Sequence, residues 1–360
     1  MKLNNEKIIN YVLVASSFQI LESFLPHPIP AVRLGLANLI SLVALINYGF
    51  KFAIKVVIAR TLLSSLFLGT FLSVSFFLSF FSGIVSTFVM WLFFLISYFS
   101  FLKLSCLGIS VIGAVTHNLT QILIVYLLFI PQKTIFWITP FLIFFGVVSG
   151  SINGWIGSVV VKKLNEKKFD QNKIIETTTK ITPLFLSTSE IFWLVFLFFL
   201  LFVGLFLKSV GVLGIMMITL FFTYLFLRKD INKFLFSLKN ILWILIFAFF
   251  VPLFSIKSEN SVFDFIFFSV SKEGLISGVV YVLRILNVIL VSNLVSQIYN
   301  KEKFIAFLKK FIFFDKELAE ILAMSFYCLP EFLNNLRTKL KFSDFKSFLK
   351  NISGLIIEYF

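Results

Sequence analysis

A polar cluster in the middle of a long apolar stretch is the part of this chain whose residue types are most suited to chemistry. Residues 116–121 read Thr-His-Asn-Leu-Thr-Gln, with apolar runs on both sides. A helix through this stretch is long enough to cross a bilayer, where polar groups are costly and commonly functional. His117 and Gln121 share a helix face, and Asn118 lies three residues before Gln121. The cluster predicts one wall of a pocket for a polar head group, with hydrogen bonding between helices as the alternative.

Two further polar residues, Asn38 and Arg60, lie in apolar runs upstream of this cluster. A guanidinium at membrane depth is expensive unless it faces the bundle interior or a polar cavity. Its forked geometry suits a carboxylate or a phosphate. We therefore expect Arg60 and Asn38 to contribute to the same pocket. The alternative for Arg60 is a structural pair, such as one with Glu22, or a side chain that reaches the inner membrane surface near Lys55.

A stiff loop at residues 22–33 joins the first two apolar runs. It contains three prolines within five residues, which stop a helix and rigidify the chain. Glu22 and Arg33 flank the loop and have opposite charges. The pattern predicts a lid or rim over the pocket, with Glu22 and Arg33 in contact with the substrate. The alternative is a structural hairpin with a surface ion pair.

Composition places the chain among polytopic membrane proteins. It has 360 residues, of which 59% are hydrophobic and 14% are charged, and its mean hydropathy is +1.01. The net charge is +15, but the lysines cluster in short loops between apolar runs. The positive-inside rule explains this pattern better than nucleic-acid binding, so we expect a lipid bilayer and no nucleic acid as partner. The two cysteines, Cys106 and Cys328, provide neither a disulfide framework nor a zinc site.

The apolar runs predict an all-α polytopic integral membrane protein with ten spans. Six precede a polar interruption and four follow it; they cover about 8–25, 33–50, 52–72, 74–100, 104–130, 136–161, 190–207, 209–227, 235–255 and 273–298. Lysine and arginine are concentrated in alternate loops. This asymmetry predicts that both the N-terminus and the C-terminus are cytoplasmic.

The polar interruption and the end of the chain suggest four regions. We predict a six-span module at 1–163, a basic cytoplasmic linker at 164–189, a four-span module at 190–300 and amphipathic cytoplasmic helices at 301–360. The amphipathic segments carry charges among aromatic residues, which suits the membrane surface or a cytoplasmic partner. The alternative is a single ten-span domain in which the linker is an ordinary loop.

Gly146, Gly150 and Gly154 in the sixth span recur at four-residue spacing. Small residues at this spacing allow a neighbouring helix to approach closely, so we interpret the stripe as a helix-packing surface.

The sequence offers no pattern typical of an enzyme. It lacks a Walker A motif, a G-x-S-x-G motif and an H-E-x-x-H motif. Its five aspartates are not clustered, so they do not form an Asp-rich site for magnesium and a diphosphate; they are residues 170, 230, 264, 315 and 344. We therefore expect no catalytic residue, no metal and no cofactor.

The first block resembles the Gx transporter family, also described as heptaprenyl diphosphate synthase component I. The resemblance covers about residues 8–163 and rests on four segments. They are Glu22 with the three prolines, residues 33–39, residues 60–63, and residues 108–121, which end in the polar cluster. Members of this family resemble the substrate-binding (S) components of energy-coupling factor transporters. The resemblance implies a six-helix substrate-binding bundle.

The second block is similar, more weakly, to the transmembrane coupling (T) component of the same transporters. The matching segments surround Arg284, residues 296–310 and Pro330. The resemblance implies cytoplasmic coupling helices that sit in grooves of two ABC ATPase subunits. That family usually has Arg where Tyr327 stands, and Arg337 is the nearest candidate for its coupling motif. Arg284, Pro330 and Arg337 are therefore the expected coupling residues.

Together the two resemblances imply a fused membrane subunit of an energy-coupling factor-type ABC transporter in a bacterial cytoplasmic membrane. Its substrate would be a small vitamin-like, flavin or isoprenoid/quinone-related compound, and two separate cytoplasmic ATPase subunits would hydrolyse ATP. One alternative is an accessory membrane subunit of polyprenyl (heptaprenyl) diphosphate synthesis. A second is a membrane partner of a flavin or redox assembly that does not transport.

Overall fold

The computed structural model describes most of the chain. The described residues are 2–24, 34–99, 103–167, 188–227, 231–256, 261–264, 269–298, 316–339 and 345–359. Arg33 and most of the predicted linker lie outside the described residues. Arg337 lies on a described helix, but its side chain is outside the description.

The first block consists of six α-helices, as the apolar runs predict. They are α1 (Lys2–Phe24), α2 (Leu36–Tyr48), α3 (Phe50–Leu68), α4 (Val74–Phe99), α5 (Cys106–Ile124) and α6 (Thr139–Lys167). A π-helical turn, Val125–Phe129, continues α5, and a 3-10 turn, Lys133–Ile138, leads into α6. α1, α2 and α3 pack on one another, and α4, α5 and α6 form a second layer against them.

In the part of the second block that the structure describes there are four further long helices and a short hairpin, and two more described helices follow towards the end of the chain. They are α7 (Thr188–Phe206), α8 (Val210–Leu227), α9 (Ile231–Ser255), β1 (Ser261–Asp264), β2 (Ser269–Ser271), α10 (Lys272–Ile298), α11 (Lys316–Lys339) and α12 (Phe345–Tyr359). β1 and β2 pair antiparallel and connect α9 to α10. Apart from this hairpin the described chain is helical, which confirms the predicted all-α fold class.

Length and composition indicate a multi-pass membrane protein. Within the described ranges, six helical stretches are long and apolar enough to cross a bilayer. They are Val74–Phe99, Cys106–Phe129, Lys133–Glu166, Ser189–Phe206, Val210–Leu227 and Lys272–Ile298. Large apolar side chains project outward from them, for example Phe144 at 62% and Phe226 at 91% exposure, as expected where lipid is the solvent.

The remaining predicted spans are also helices, but they differ from simple apolar crossings. α2 has 13 residues, which extends about 20 Å at the α-helical rise, less than the ~30 Å of a bilayer core. α9 has an apolar portion of only Ile241–Ser255. α1 and α3 contain charged residues. Glu22 and Arg60 on these helices are nevertheless buried inside the protein, where a membrane protein tolerates them.

Glycines with positive φ make two of the tight connections in the first block. Gly49, at φ +84°, is the single residue between α2 and α3. Gly69, at φ +68°, ends α3, and the next amide, Thr70 N–H, donates to the Ser65 carbonyl over 2.8 Å. A side chain at either position would be strained, because only glycine adopts this region readily.

The glycine stripe of α6 faces the backbone of α5. A Cβ at Gly146, Gly150 or Gly154 would lie 3.1, 2.7 or 2.6 Å from a Cα of α5. The α5 residues that it meets are Val115, Val111 and Leu107. These are also spaced by four, in the opposite direction, so the two helices run antiparallel with one ridge of α5 in the glycine groove of α6.

α10 is the central helix of the second block. It packs against α7, α8 and α9 and also reaches α4 and the π-helical turn of the first block. Gly274 and Gly278 let it approach α9, since a Cβ at either position would lie 2.7 Å from a carbonyl oxygen of that helix. Ser292 Oγ donates to the Phe71 carbonyl over 2.7 Å. The two blocks therefore share hydrogen bonds as well as apolar contacts.

The two C-terminal helices lie against the first block. α11 packs on α1 and α3, and α12 packs on α6 and α1. The apolar stripe of α11, which includes Leu322 and Leu329, is buried. The sequence predicts amphipathic helices on the membrane surface or on a partner; in the structure, helices of the same chain cover their apolar faces. The predicted docking of α11 on a partner is thereby restricted to its polar face.

Candidate functional site

Arg60 is held in the interior of the first block by two carboxamides. Its side chain is 4% exposed. Nη1 donates to Gln19 Oε1 on α1 over 3.2 Å, and Nη2 donates to Asn38 Oδ1 on α2 over 2.7 Å. Gly83 on α4 leaves room for the guanidinium, because a Cβ there would lie 3.6 Å from Nη2. Arg60, which lies on α3, thus links α3 to α1 and α2.

The Glu22 carboxylate binds the N-terminus of α2. Its carboxylate is 5% exposed, and Oε1 accepts a hydrogen bond from the Leu36 N–H over 2.7 Å. Leu36 is the first residue of α2, so its N–H has no acceptor within the helix. A carboxylate is favourable there because of the helix dipole. Glu22 therefore fixes α2 to α1, next to the network of Arg60.

His117 and Gln121 contact each other, as their spacing on α5 predicts. His117 Nε2 lies 3.2 Å from Gln121 Nε2 and 3.2 Å from Ser82 Oγ on α4. The donor and acceptor in each of these two contacts depend on which ring nitrogen of His117 carries the proton and on the orientation of the Gln121 amide. Ser82 Oγ also donates to the Leu78 carbonyl on its own helix. Ser82 of α4 therefore contacts the polar cluster of α5.

Asn118 and Asn153 donate hydrogen bonds to backbone carbonyls near the contacts of His117. Asn118 Nδ2 donates to the Leu142 carbonyl over 2.8 Å, and Asn153 Nδ2 donates to the Leu34 carbonyl over 2.8 Å. Asn153 is 4% exposed, and its Oδ1 is buried without a hydrogen-bond partner among the described residues. A buried amide oxygen in that position requires water or a ligand.

These polar residues surround one small cavity of about 40 Å³. His117, Asn118 and Gln121 line it from α5, Asn38 from α2 and Asn153 from α6. The volume is enough for ordered water and far below the roughly 300 Å³ at which small-molecule sites begin. Arg60 joins these residues through its bond to Asn38, whereas Glu22 does not line the cavity and Arg33 lies outside the described residues. We name this space the polar cavity.

Of the predicted coupling residues, Arg284 has the most informative surroundings. It is 4% exposed on α10, Nη2 donates to the Leu207 carbonyl over 2.9 Å, and Nη1 donates to the Phe129 carbonyl over 3.4 Å. Leu207 follows α7 and Phe129 ends the π-helical turn, so the guanidinium caps two helix C-termini, one in each block. Pro330 lies within α11 at an exposed position.

Sequence reasoning missed three residues of the site: Gln19, Ser82 and Asn153. Gln19 is a polar residue in an apolar span three positions before Glu22, a signal of the same kind as that of Asn38. Asn153 is similarly placed beside the glycine stripe. The sequence does not single out Ser82 as a site residue, because serine is common where helices pack together.

The polar side chains of the site are groups that form hydrogen bonds. Among the residues that the structure describes, no group of three His, Cys, Asp or Glu is close enough to hold a metal ion. The donors and acceptors present are amides, one imidazole, hydroxyls and one guanidinium.

Comparison with known proteins supports the first resemblance. No curated protein and no solved structure matches the chain. The resemblance of the second block to T components has no support from these comparisons. The model of the family described as heptaprenyl diphosphate synthase component I matches residues 11–160, which is the six-helix block with the polar cavity.

Proposed function

We propose that this chain is the membrane subunit of an energy-coupling factor-type transporter, with a substrate-binding block and a coupling block in one polypeptide. ATP would be hydrolysed by two separate cytoplasmic ABC ATPase subunits. The observation that carries the proposal is the packing of α11 on α1 and α3. Those two helices hold Gln19, Glu22 and Arg60, so a shift of α11 reaches the polar network directly.

The contact between α11 and the first block has an apolar and an ionic part. Leu318, Ile321 and Leu322 are buried, and Glu317 forms an ion pair with Lys55 of α3. Both side chains of the pair are 26% exposed, so this pair is less screened than a fully solvated one. The opposite face of α11 exposes Glu320, Tyr327 and Glu331. We assign that face to the ATPase partners.

The substrate would enter the polar cavity after the cavity widens. Its present volume of about 40 Å³ accommodates water only. Separation of α2 from α5 and α6 would expose Asn38, His117, Gln121 and Asn153 to a ligand. Amides and an imidazole suit a head group with several hydrogen-bonding atoms, as in a vitamin-like, flavin or quinone-related compound.

Reconstitution tests the proposal. The chain and the ABC ATPase subunits that co-purify with it are placed in vesicles, and uptake is measured for the compound that mass spectrometry finds on the purified protein. ATP should drive its accumulation. Glu317→Lys and Lys55→Glu should each lower the rate about fivefold, the effect of roughly 1 kcal/mol, and the double exchange should restore most of it. Absence of nucleotide-dependent transport with the cognate ATPases would contradict the proposal.

A second candidate is an accessory membrane subunit of heptaprenyl diphosphate synthesis. The description of the family that matches residues 11–160 favours it. Under this hypothesis the chain binds a separate prenyl synthase and changes its rate or product length. Co-purification with a prenyl synthase, and a change in product length when the chain is added, would support this candidate over transport.

A further inference from the structure

A second, much larger cavity lies between the two blocks. Its volume is about 700 Å³, within the range of sites that bind drug-sized molecules. α1, α3, α4 and α5 of the first block and α9 and α10 of the second contribute to its walls. We name it the inter-block cavity. It is distinct from the polar cavity, although Gln121 borders both.

The walls of the inter-block cavity differ in polarity. On the first block, hydroxyl groups are frequent, including Thr70, Ser75 and Ser79. On α9 the lining is mainly apolar, with Ile244, Phe247 and Val251 among the contributing residues. A ligand with one apolar side and one hydrogen-bonding end would satisfy both walls.

No acidic or basic side chain lines the cavity among the described residues. A phosphate, diphosphate or carboxylate placed here would be desolvated without a counter-charge, which is costly. The occupant that the lining favours is therefore uncharged.

Two carboxamides, Gln19 and Gln121, border the cavity. Gln19 Oε1 accepts from Arg60, so its amide N–H groups remain to donate to a ligand. One end of the Gln121 amide contacts His117, and the other end remains to bond with a ligand. A hydroxyl or a primary amide both donates and accepts, so it can bond with both residues. Arg60 and His117 thus hold two neutral amides at the cavity.

We propose that the inter-block cavity binds a neutral amphiphile, an apolar chain or ring system that carries a hydroxyl or amide head group. The head group lies between Gln19 and Gln121, and the apolar part lies against α9. Binding at this site needs neither nucleotide nor ATPase, so a test of this binding is independent of the proposed transport function.

Photolabelling tests the site. The purified chain is placed in phosphatidylcholine nanodiscs without nucleotide and irradiated with a diazirine-bearing hexadecanol. Labelled peptides should come from α1, α5 and α9. Unlabelled hexadecanol and hexadecyl phosphate are then compared as competitors of the probe. The concentration that halves labelling should be at least about tenfold lower for hexadecanol, because only the phosphate is charged. Equal competition by the two, or labelling confined to lipid-facing peptides, overturns the proposal.

Matched variants separate the cavity from the surrounding bilayer. Ile244→Trp fills the apolar wall of the cavity, whereas Leu242→Trp places the same side chain on an exposed position of the same helix. Ile244→Trp should reduce labelling at least about fivefold and Leu242→Trp should not. Ser75→Trp repeats the test from the opposite wall if Ile244→Trp fails to fold. Full labelling in a folded cavity-filling variant, or a phospholipid retained in the cavity by native mass spectrometry, rejects the neutral amphiphile.

Discussion

At the scale of single residues, the interior of the first block is organised by a buried charge and its neutral partners. The two terminal nitrogens of Arg60 donate to Gln19 and Asn38, and Glu22 accepts a hydrogen bond at the start of α2. A buried guanidinium costs free energy wherever its partners are lost. The sequence makes Arg60 conspicuous for that reason, but only the packing of α1 and α2 shows which amides hold it.

The pairing of Arg60 with Asn38 can be tested by removing each side chain. Asn38→Leu should lower the free energy of unfolding by about 1.5–3 kcal/mol, the value of a hydrogen bond to a charged group. The double variant Asn38→Leu/Arg60→Leu should recover part of that loss, because no unpaired charge remains. Thermal unfolding of the detergent-solubilised protein measures both. A double variant that is less stable by the sum of the two single effects would show that the residues act independently.

At the scale of helices, the apolar runs predict the extents of α1 to α10 because length and hydropathy are properties of each segment alone. The sequence of one segment does not show which other helices pack against it. The amphipathic pattern of α11 indicates an apolar stripe, but the pattern does not show that α1 and α3 cover this stripe. The inter-block cavity was missed for the same reason, since its walls come from helices far apart in sequence.

The glycine stripe gives a prediction with an internal control. Gly150→Ala places a Cβ 2.7 Å from Val111 Cα, so α5 and α6 must separate, at a cost of about 1–3 kcal/mol. Gly214→Ala on α8 meets no atom within 4 Å and should be neutral or stabilising by up to about 1 kcal/mol. Unfolding temperatures of the two variants test the difference. Equal temperatures would show that the approach of α5 and α6 is not limiting for stability.

At the scale of the whole molecule, α10 determines whether the two blocks move as one body. It contributes Arg284, which binds Phe129 and Leu207, and Ser292, which binds Phe71. The contact of α11 through Glu317 and Lys55 is with the first block. α10 therefore supplies these hydrogen bonds between the blocks. A transporter of the proposed kind would need some of them to break when the polar cavity opens.

The role of Arg284 can be distinguished from ordinary packing by hydrogen exchange. Arg284→Leu removes the donor shared by the ends of two helices, so amide exchange should rise both at residues 125–130 and at residues 204–208. Asn287→Leu is the matched control, because Asn287, one turn further along α10, donates to the Leu213 carbonyl within the second block. It should raise exchange near α8 and leave residues 125–130 unchanged. If Arg284→Leu affected only the second block, the guanidinium would be a local helix cap, and of these side-chain hydrogen bonds only that of Ser292 would join the blocks.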